Sequence, residues 1–285
     1  MIKVEKLSYR YPKNEQDTLK NISFEVRKGE IFGFLGPSGA GKSTLQNILT
    51  GTLLSYRGEA SVLETSVKER SKDFYEKIGV DFEFPNFYGK FTAIENLHYF
   101  SSLYSNATLD PNPLLERMGL LQDADKQVNR FSKGMKARLG FIRCLLHDPD
   151  LLFLDEPTSG LDPANAMILK EMVRELQKSG KTIILTTHNM QDAEELCDRV
   201  AFIVDGKIRA LDTPTAFRNS KQEKRIIYTF QNTRNLEEER TIPLHALGSD
   251  THFLNMAKSE KITRIHSVEQ SLEDVFISLT GRRLQ

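Results

Sequence analysis

Alternating and continuous apolar runs divide most of the first 220 residues into strands and helices. Ile2–Leu7 and Ile22–Val26 alternate apolar and polar side chains, which predicts antiparallel strands with one face on a core. Glu30–Leu35, Leu151–Glu156 and Thr182–Thr187 are apolar almost throughout, as strands buried on both faces of a parallel sheet are. Helical stretches lie between them. Leu45–Leu49 is short; a second helix runs from Thr92, with Glu95 completing a capping box, to Leu103; a third starts at Asp110-Pro111. A fourth covers Ser132–Leu146 before Pro149. A fifth opens at Asp162-Pro163, places Ile168, Leu169, Met172, Val173 and Leu176 on one face, and stops at Gly180. Val200–Val204, Asp205-Gly206 and Lys207–Leu211 read as a hairpin.

Two stretches break this regularity. Gly58–Val80 is weakly patterned, with a charged helical segment around Lys68–Lys77 that reads as a solvated face. Asp81–Gly89 carries Phe82, Phe84, Phe87 and Tyr88 together with Pro85 and Gly89, and so reads as an aromatic loop that either folds under its own domain or meets a partner. A helix from Pro214 to about Ser220 leads into Lys221-Gln222-Glu223-Lys224-Arg225, a charged run that reads as a domain boundary. Beyond it, strands at Ile226–Phe230, Arg240–Leu244 and Ile262–His266 and helices at Thr251–Ser259 and Leu272–Leu279 predict a small α+β module at 221–285.

Composition narrows the function classes. Lys+Arg and Asp+Glu both number 39 in 285 residues, so no net field draws the chain to nucleic acid or to an acidic membrane surface. No apolar run reaches the roughly 18 residues needed to span a bilayer, and the N-terminus lacks the apolar stretch of a secretory signal, which points to the cytoplasm. Cys144 and Cys197, on apparently helical segments, have no metal-ligand spacing and read as core filler.

The chemistry is concentrated in Gly36-Pro37-Ser38-Gly39-Ala40-Gly41-Lys42-Ser43-Thr44, a full match to G-x-x-x-x-G-K-[ST] between a predicted buried strand and a predicted helix. In that context the backbone N–H groups and the helix dipole cradle phosphates, Lys42 reaches the β- and γ-phosphates, and Ser43 ligates Mg2+. Tyr11 either stacks on an adenine face or packs a strand end. Asp155 and Glu156 close an apolar strand, which would deliver both acids to the carboxyl edge of a sheet, and His188 follows another strand at the same edge. A histidine so placed is structural as readily as functional.

The order and spacing of the phosphate loop, Phe131-Ser132-Lys133-Gly134-Met135, Leu151–Glu156, Ser159-Gly160-Leu161-Asp162 and His188 resemble the ATP-binding subunits of ABC transporters over roughly residues 1–220. The resemblance implies an α/β phosphate-loop ATPase core with an antiparallel β subdomain, a helical subdomain at about 92–146 and the small C-terminal module. It implies that Asp155 holds Mg2+ through water, that Glu156 is the general base and that His188 contacts the γ-phosphate. Ser132 and Gly134 match the signature loop that clamps ATP on a second copy, and Asp162 the acid that communicates across the same seam. Phe131, Lys133 and Met135 depart from the Leu-Ser-Gly-Gly-Gln pattern, and Lys133 adds a cation near the phosphates.

At the position where the family usually has glutamine this chain has Glu83, similar to the exporters of bacitracin-like and lantibiotic peptides. Glu83 would act near Mg2+, and the aromatic residues after it would dock a separately encoded membrane permease. Ser271–Phe276 with Leu279-Thr280-Gly281 resembles the ending of drug-exporter ATPases. The implied protein is an export ATPase paired with itself and bound to the cytoplasmic face of the membrane through its permease. A soluble ABC ATPase acting on ribosomes or DNA is the alternative.

Overall fold

The computed structural model describes residues 1–83, 85–219, 225–232, 236–268 and 271–281. Phe84 of the aromatic loop lies outside the described residues, and so do 221–224 of the charged run Lys221–Arg225 expected to mark a boundary, whereas Arg225 opens a strand. The chain opens with β1 (Ile2–Tyr9), β2 (Leu19–Val26), β3 (Ile31–Leu35) and helix α1 (Lys42–Leu49). Next come β4 (Arg57–Val62), β5 (Thr65–Ser66), α2 (Lys72–Glu76) and β6 (Ile78–Asp81). Three helices follow: α3 (Ala93–Ser101), α4 (Pro111–Arg117) and α5 (Lys133–Leu145). Then β7 (Leu151–Asp155), α6 (Pro163–Lys178), β8 (Thr182–Thr187), α7 (Met190–Leu196), β9 (Arg199–Val204), β10 (Lys207–Asp212) and α8 (Pro214–Asn219) complete the larger part. The tail holds β11 (Arg225–Gln231), β12 (Glu237–Pro243), α9 (Thr251–Lys258), β13 (Ile262–Val268) and α10 (Leu272–Thr280).

The central sheet has the order β10-β9-β3-β8-β7-β6 and is parallel except for the β9–β10 hairpin. Its continuous apolar strands follow from burial on both faces. Ile31 and Leu35 of β3 and Leu152 and Leu154 of β7 enter one core, while Phe32, Phe34, Leu151 and Phe153 enter the other. Successive side chains point to opposite faces of a strand, so each strand feeds two cores at once. The first core is roofed by the helices α3 to α7, and the second by the antiparallel sheet β2-β1-β4-β5, whose alternating strands bury Ile2, Val4, Ile22 and Phe24.

Parallel strands carry their carboxyl ends to one edge, so β3, β7 and β8 deliver Gly36, Asp155 with Glu156, and His188 to a common rim. The capping box expected at Thr92 and Glu95 opens α3, and Asp162 caps α6 ahead of Pro163. Three strands, β4, the two-residue β5 and β6, escaped the sequence reading. Within the weakly patterned segment, β4 pairs with β1 and β6 extends the central sheet beside β7.

The tail corrects a boundary. Strands β12-β11-β13 and α9 form their own small sheet-and-helix unit around Ile226, Tyr228, Phe230 and Ile242. Helix α10 does not join it. Leu272, Val275 and Phe276 enter the first large core, the rings of Phe276 and Phe202 meet at 5.3 Å, and the Leu272 N–H donates to Glu194 at 2.7 Å. The expected module at 221–285 therefore gives its last helix to the ATPase body, where the apolar face of a capped helix is buried. Cys144 and Cys197 are buried as expected, although Cys197 ends α7 in an extended conformation rather than lying within it.

Candidate active site

The strand-loop-helix predicted around the phosphate motif is present, and its backbone leaves no room for side chains where it turns. A Cβ on Gly36 would lie 2.1 Å from the Ile203 carbonyl oxygen, so only glycine lets the loop leave β3 beside β9. The Lys42 ammonium donates to the carbonyls of Gly36 at 2.6 Å and Pro37 at 3.2 Å, which folds the loop into a ring over the start of α1. Burial lowers the Lys42 pKa, opposed by the charges of Glu156, Asp155 and Glu83. One lysine thus feels three carboxylates. Ala40 and Thr44 are buried, and Ser43 lies at the rim.

Across the rim the Ser43 hydroxyl donates to Asp155 Oδ2 at 3.5 Å. Asp155 Oδ1 accepts from Thr186, and burial raises the Asp155 pKa despite that bond. A half-buried carboxylate beside a hydroxyl is an all-oxygen donor set, which fits a hard divalent cation such as Mg2+. Glu156 comes next, held in the left-handed region at φ 50° with its N–H donating to the Thr186 carbonyl at 2.9 Å. That turn swings its side chain out of the strand. Its Oε2 accepts from the Thr187 hydroxyl at 3.1 Å and its Oε1 from His188 Nδ1 at 2.8 Å. A carboxylate only accepts, so the proton of this bond is on Nδ1. The Glu156 side chain is 11% exposed and that of His188 57%, a largely covered carboxylate held by a ring that reaches solvent.

Thr186 and Thr187 were not singled out from sequence, although two hydroxyls ending an otherwise apolar strand were the signal. Tyr11 donates to or accepts from Thr44 Oγ1 at 3.2 Å, and its ring stands edge-on to Tyr9 with centroids 4.9 Å apart. That hydroxyl ties the chain after β1 to the start of α1.

The remaining expected residues sit elsewhere. Ser132 caps α5 by accepting from the Met135 N–H at 3.1 Å; Asp162 caps α6 by accepting from the Asn165 side-chain amide and from the Asn165 N–H at 3.1 Å, bonds that lower its pKa. Gly134 faces the Gly160 carbonyl, and the Lys133 stem lies along Gly160. Ser132, Gly134 and Asp162 therefore form a second cluster of two helix starts. Glu83 is exposed and lines a 690 Å³ cavity with Asp155, Phe82, Asn86, Phe100 and Arg143. The loop after it exposes Tyr88 beside Phe91 and Tyr99.

Comparison with known proteins decides the family. The model of the ABC transporter family matches residues 19–159. Over 284 residues the chain is 48% identical to a fluoroquinolones export ATP-binding protein of Mycobacterium tuberculosis strain H37Rv, covering 100% of this chain and 94% of the relative. This chain belongs to the ABC transporter family. It is similar also to Nod factor export ATP-binding protein I of Rhizobium sp. strain N33, at 37% identity over 94% of this chain and 93% of that one.

The fold agrees with the ATP-binding subunit of an ABC transporter at a TM-score of 0.70 and 29% identity, covering 76% of this chain and 92% of that structure. It agrees too with a dimeric ATP-binding cassette bound to ADP and Pi, at 0.68 and 25% over 75% and 98%. The protein is an ATP-binding export ATPase, hydrolysing ATP to drive transport. The alternative of a soluble ribosomal or DNA-acting ATPase is not favoured. Among the described residues no helix is long and apolar enough to cross a membrane.

Proposed function

We propose that two copies of this chain share two ATP sites, each made from Gly36–Thr44 of one copy and the Ser132–Gly134 turn of the other, with Asp162 beside the same seam. The observation that carries this reading is the separation of the two clusters. The phosphate loop and its acids bond to one another, whereas Ser132 and Asp162 spend their side chains capping α5 and α6. An exposed helix start, with the positive end of its dipole facing out, is suited to a phosphate from outside its own chain.

Within each site the N–H groups of Gly36–Thr44 and the Lys42 ammonium hold the β- and γ-phosphates, which leaves the γ-phosphoryl at the rim where Glu156 emerges. Ser43 and Asp155 would hold Mg2+, which supplies charge neutralisation when bound; Glu83 faces the same charge cluster. Glu156 accepts a proton from the attacking water, and Thr187 and His188 fix its two oxygens. His188 in turn offers Nε2 to the γ-phosphate side. Positioning and charge carry such a transfer, with little covalent help needed. Tyr11 places its ring at the adenine side of the loop.

The Glu83 loop and its exposed aromatic residues dock a separately encoded membrane permease, which holds the ATPase on the cytoplasmic face. The cargo class is a drug, antibiotic peptide or similar amphipathic compound, in line with a relative named for fluoroquinolone export. Neutral net charge weighs against nucleic acid as a partner. Copurification from gently solubilised membranes tests the assembly. A multi-helix membrane protein retained with this chain is the expected result, and ribosomal or DNA-bound proteins in its place would overturn it.

A further inference from the structure

Helix α5 ends in two different places. Its first turn, capped by Ser132, belongs to the second cluster, and its last turn carries Arg143 about 15 Å away at 1.5 Å per residue. Arg143 donates from Nη1 to the Asn86 carbonyl at 3.0 Å, and its guanidinium carbon lies 5.1 Å from the ring centroids of both Phe87 and Phe100. Three residues earlier, Gly140 shares this face of α5. A Cβ there would stand 2.7 Å from Asp81 Oδ1 and 3.0 Å from Pro85 Cβ, so the helix surface is cut back to admit the strand end and the loop.

Asp81 is buried, its Oδ1 has no hydrogen-bond partner, and Arg143 is the cation whose field favours its ionised form. The loop's other anchor is α3, where the Tyr88 N–H donates to Asn96 Oδ1 at 2.9 Å and Asn96 Nδ2 donates back to the Tyr88 carbonyl at 3.1 Å. Every fastening of Pro85–Tyr88 named here thus runs to α3 or α5, and the one on α5 is made by a single side chain with a flat, forked head.

We propose that Arg143 is a positioning residue that ties the aromatic loop Pro85–Tyr88 to α5, so that the loop and the Ser132–Met135 turn move as one piece when ATP binds. The proposal rests on the paired-site reading above. A helix is a stiff rod over this length, so a displacement at its first turn is delivered to Arg143 with little loss. The guanidinium is matched to the task because its delocalised charge sits 5.1 Å from two ring centroids while one of its nitrogens holds a carbonyl; an ammonium is a compact, strongly hydrated point charge that does not combine the two contacts as well.

The test is amide hydrogen exchange on the full chain in a Glu156→Gln background, where ATP is not consumed. With ATP, exchange should slow both at Ser132–Met135 and at Asn86–Tyr88. Adding Arg143→Lys should leave the first protection within about twofold and reduce the second about tenfold, since only the tie is cut. Phe87→Leu, which removes one ring and keeps the apolar contact, should give a loss between these. Equal protection of the loop with and without Arg143→Lys would overturn the proposal. So would parallel loss at both segments, which would make Arg143 a residue of general structure. Absence of ATP protection at Ser132–Met135 with Arg143 intact would overturn the paired-site reading itself, and the tie with it.

Discussion

The two clusters that the proposed pairing would join into one active site are built in opposite ways. At the edge of the central sheet, Ser43, Asp155 and Thr186, and likewise Glu156, Thr187 and His188, are joined by side-chain hydrogen bonds, and the buried Lys42 is held by the Gly36 and Pro37 carbonyls, so each side chain is fixed by its neighbours. At the starts of α5 and α6, Ser132 and Asp162 are exposed and bond only to their own first turns among the hydrogen bonds described for their side chains. The first half is preorganised chemistry. The second is a pair of exposed, capped helix starts, whose positive dipole ends suit a phosphate carried by another copy. Under the proposed pairing the difference would keep ATP hydrolysis conditional, with the base and the phosphate cradle in place and the closing contact withheld.

The largest expected effect falls on the first half. Glu156→Gln should lower ATP turnover by roughly 10²–10⁴-fold, the usual worth of a positioned base, while an ATP-dependent pair accumulates in gel filtration. An unimpaired rate would remove Glu156 as base and with it the claim that this half is the chemical one.

Asp81 sharpens the comparison because it sits in the wall between the halves, beside the Asp155 strand and against α5. Burial raises its pKa from 3.8 to about 7. The folded chain therefore holds this proton more tightly than the unfolded chain. The stability so gained is full below about pH 4 and falls away as the pH rises to about 7. At ~1.4 kcal/mol per unit, Asp81→Asn should gain up to ~4 kcal/mol over the parent between pH 4 and pH 8, read from denaturant unfolding at both values. A difference that does not change with pH would remove the buried charge from the account.

Smaller effects belong to the second half. Ser132→Ala should cost about 1 kcal/mol of stability through the lost cap, and in addition abolish ATP-dependent pairing. Loss of stability with unchanged ATPase would reduce Ser132 to a cap. Least is expected of Tyr11→Phe, which removes the bond to Thr44, worth about 1 kcal/mol in unfolding, and keeps the ring and hence ATP affinity. A large loss of affinity would move the hydroxyl into the site.

Legibility in sequence follows the same division. The phosphate loop could be read directly because its glycines, lysine and serine are contiguous, and Asp155-Glu156 because two acids end an apolar strand. Thr186 and Thr187 are as closely placed, but threonine is a common strand residue and its hydroxyl says nothing of its partner. Strand β6 was hidden because it is short, contains Gly79 and ends on an acid that burial would ordinarily exclude. Strand β4 was hidden because Arg57, Gly58 and Glu59 at its start are exposed, which erases the alternation. The destination of α10 could not be read at all: an amphipathic helix announces that it will be buried, and says nothing of which core receives it. The Arg143 contacts are of the same kind, since they join residues 57 positions apart.

The most direct test of the shared site is complementation. A Lys42→Ala chain and a Ser132→Ala chain are purified separately, each with both of its sites broken when paired with itself, and are then mixed with ATP. In the mixed pair, the phosphate loop of the Ser132→Ala chain meets the intact Ser132 turn of the Lys42→Ala chain, so one whole site is restored. The account predicts ATPase activity in the mixture that neither chain shows alone. A mixture as inactive as its components, with mixed pairs present, would mean that the two clusters do not meet across a pair, and would contradict it.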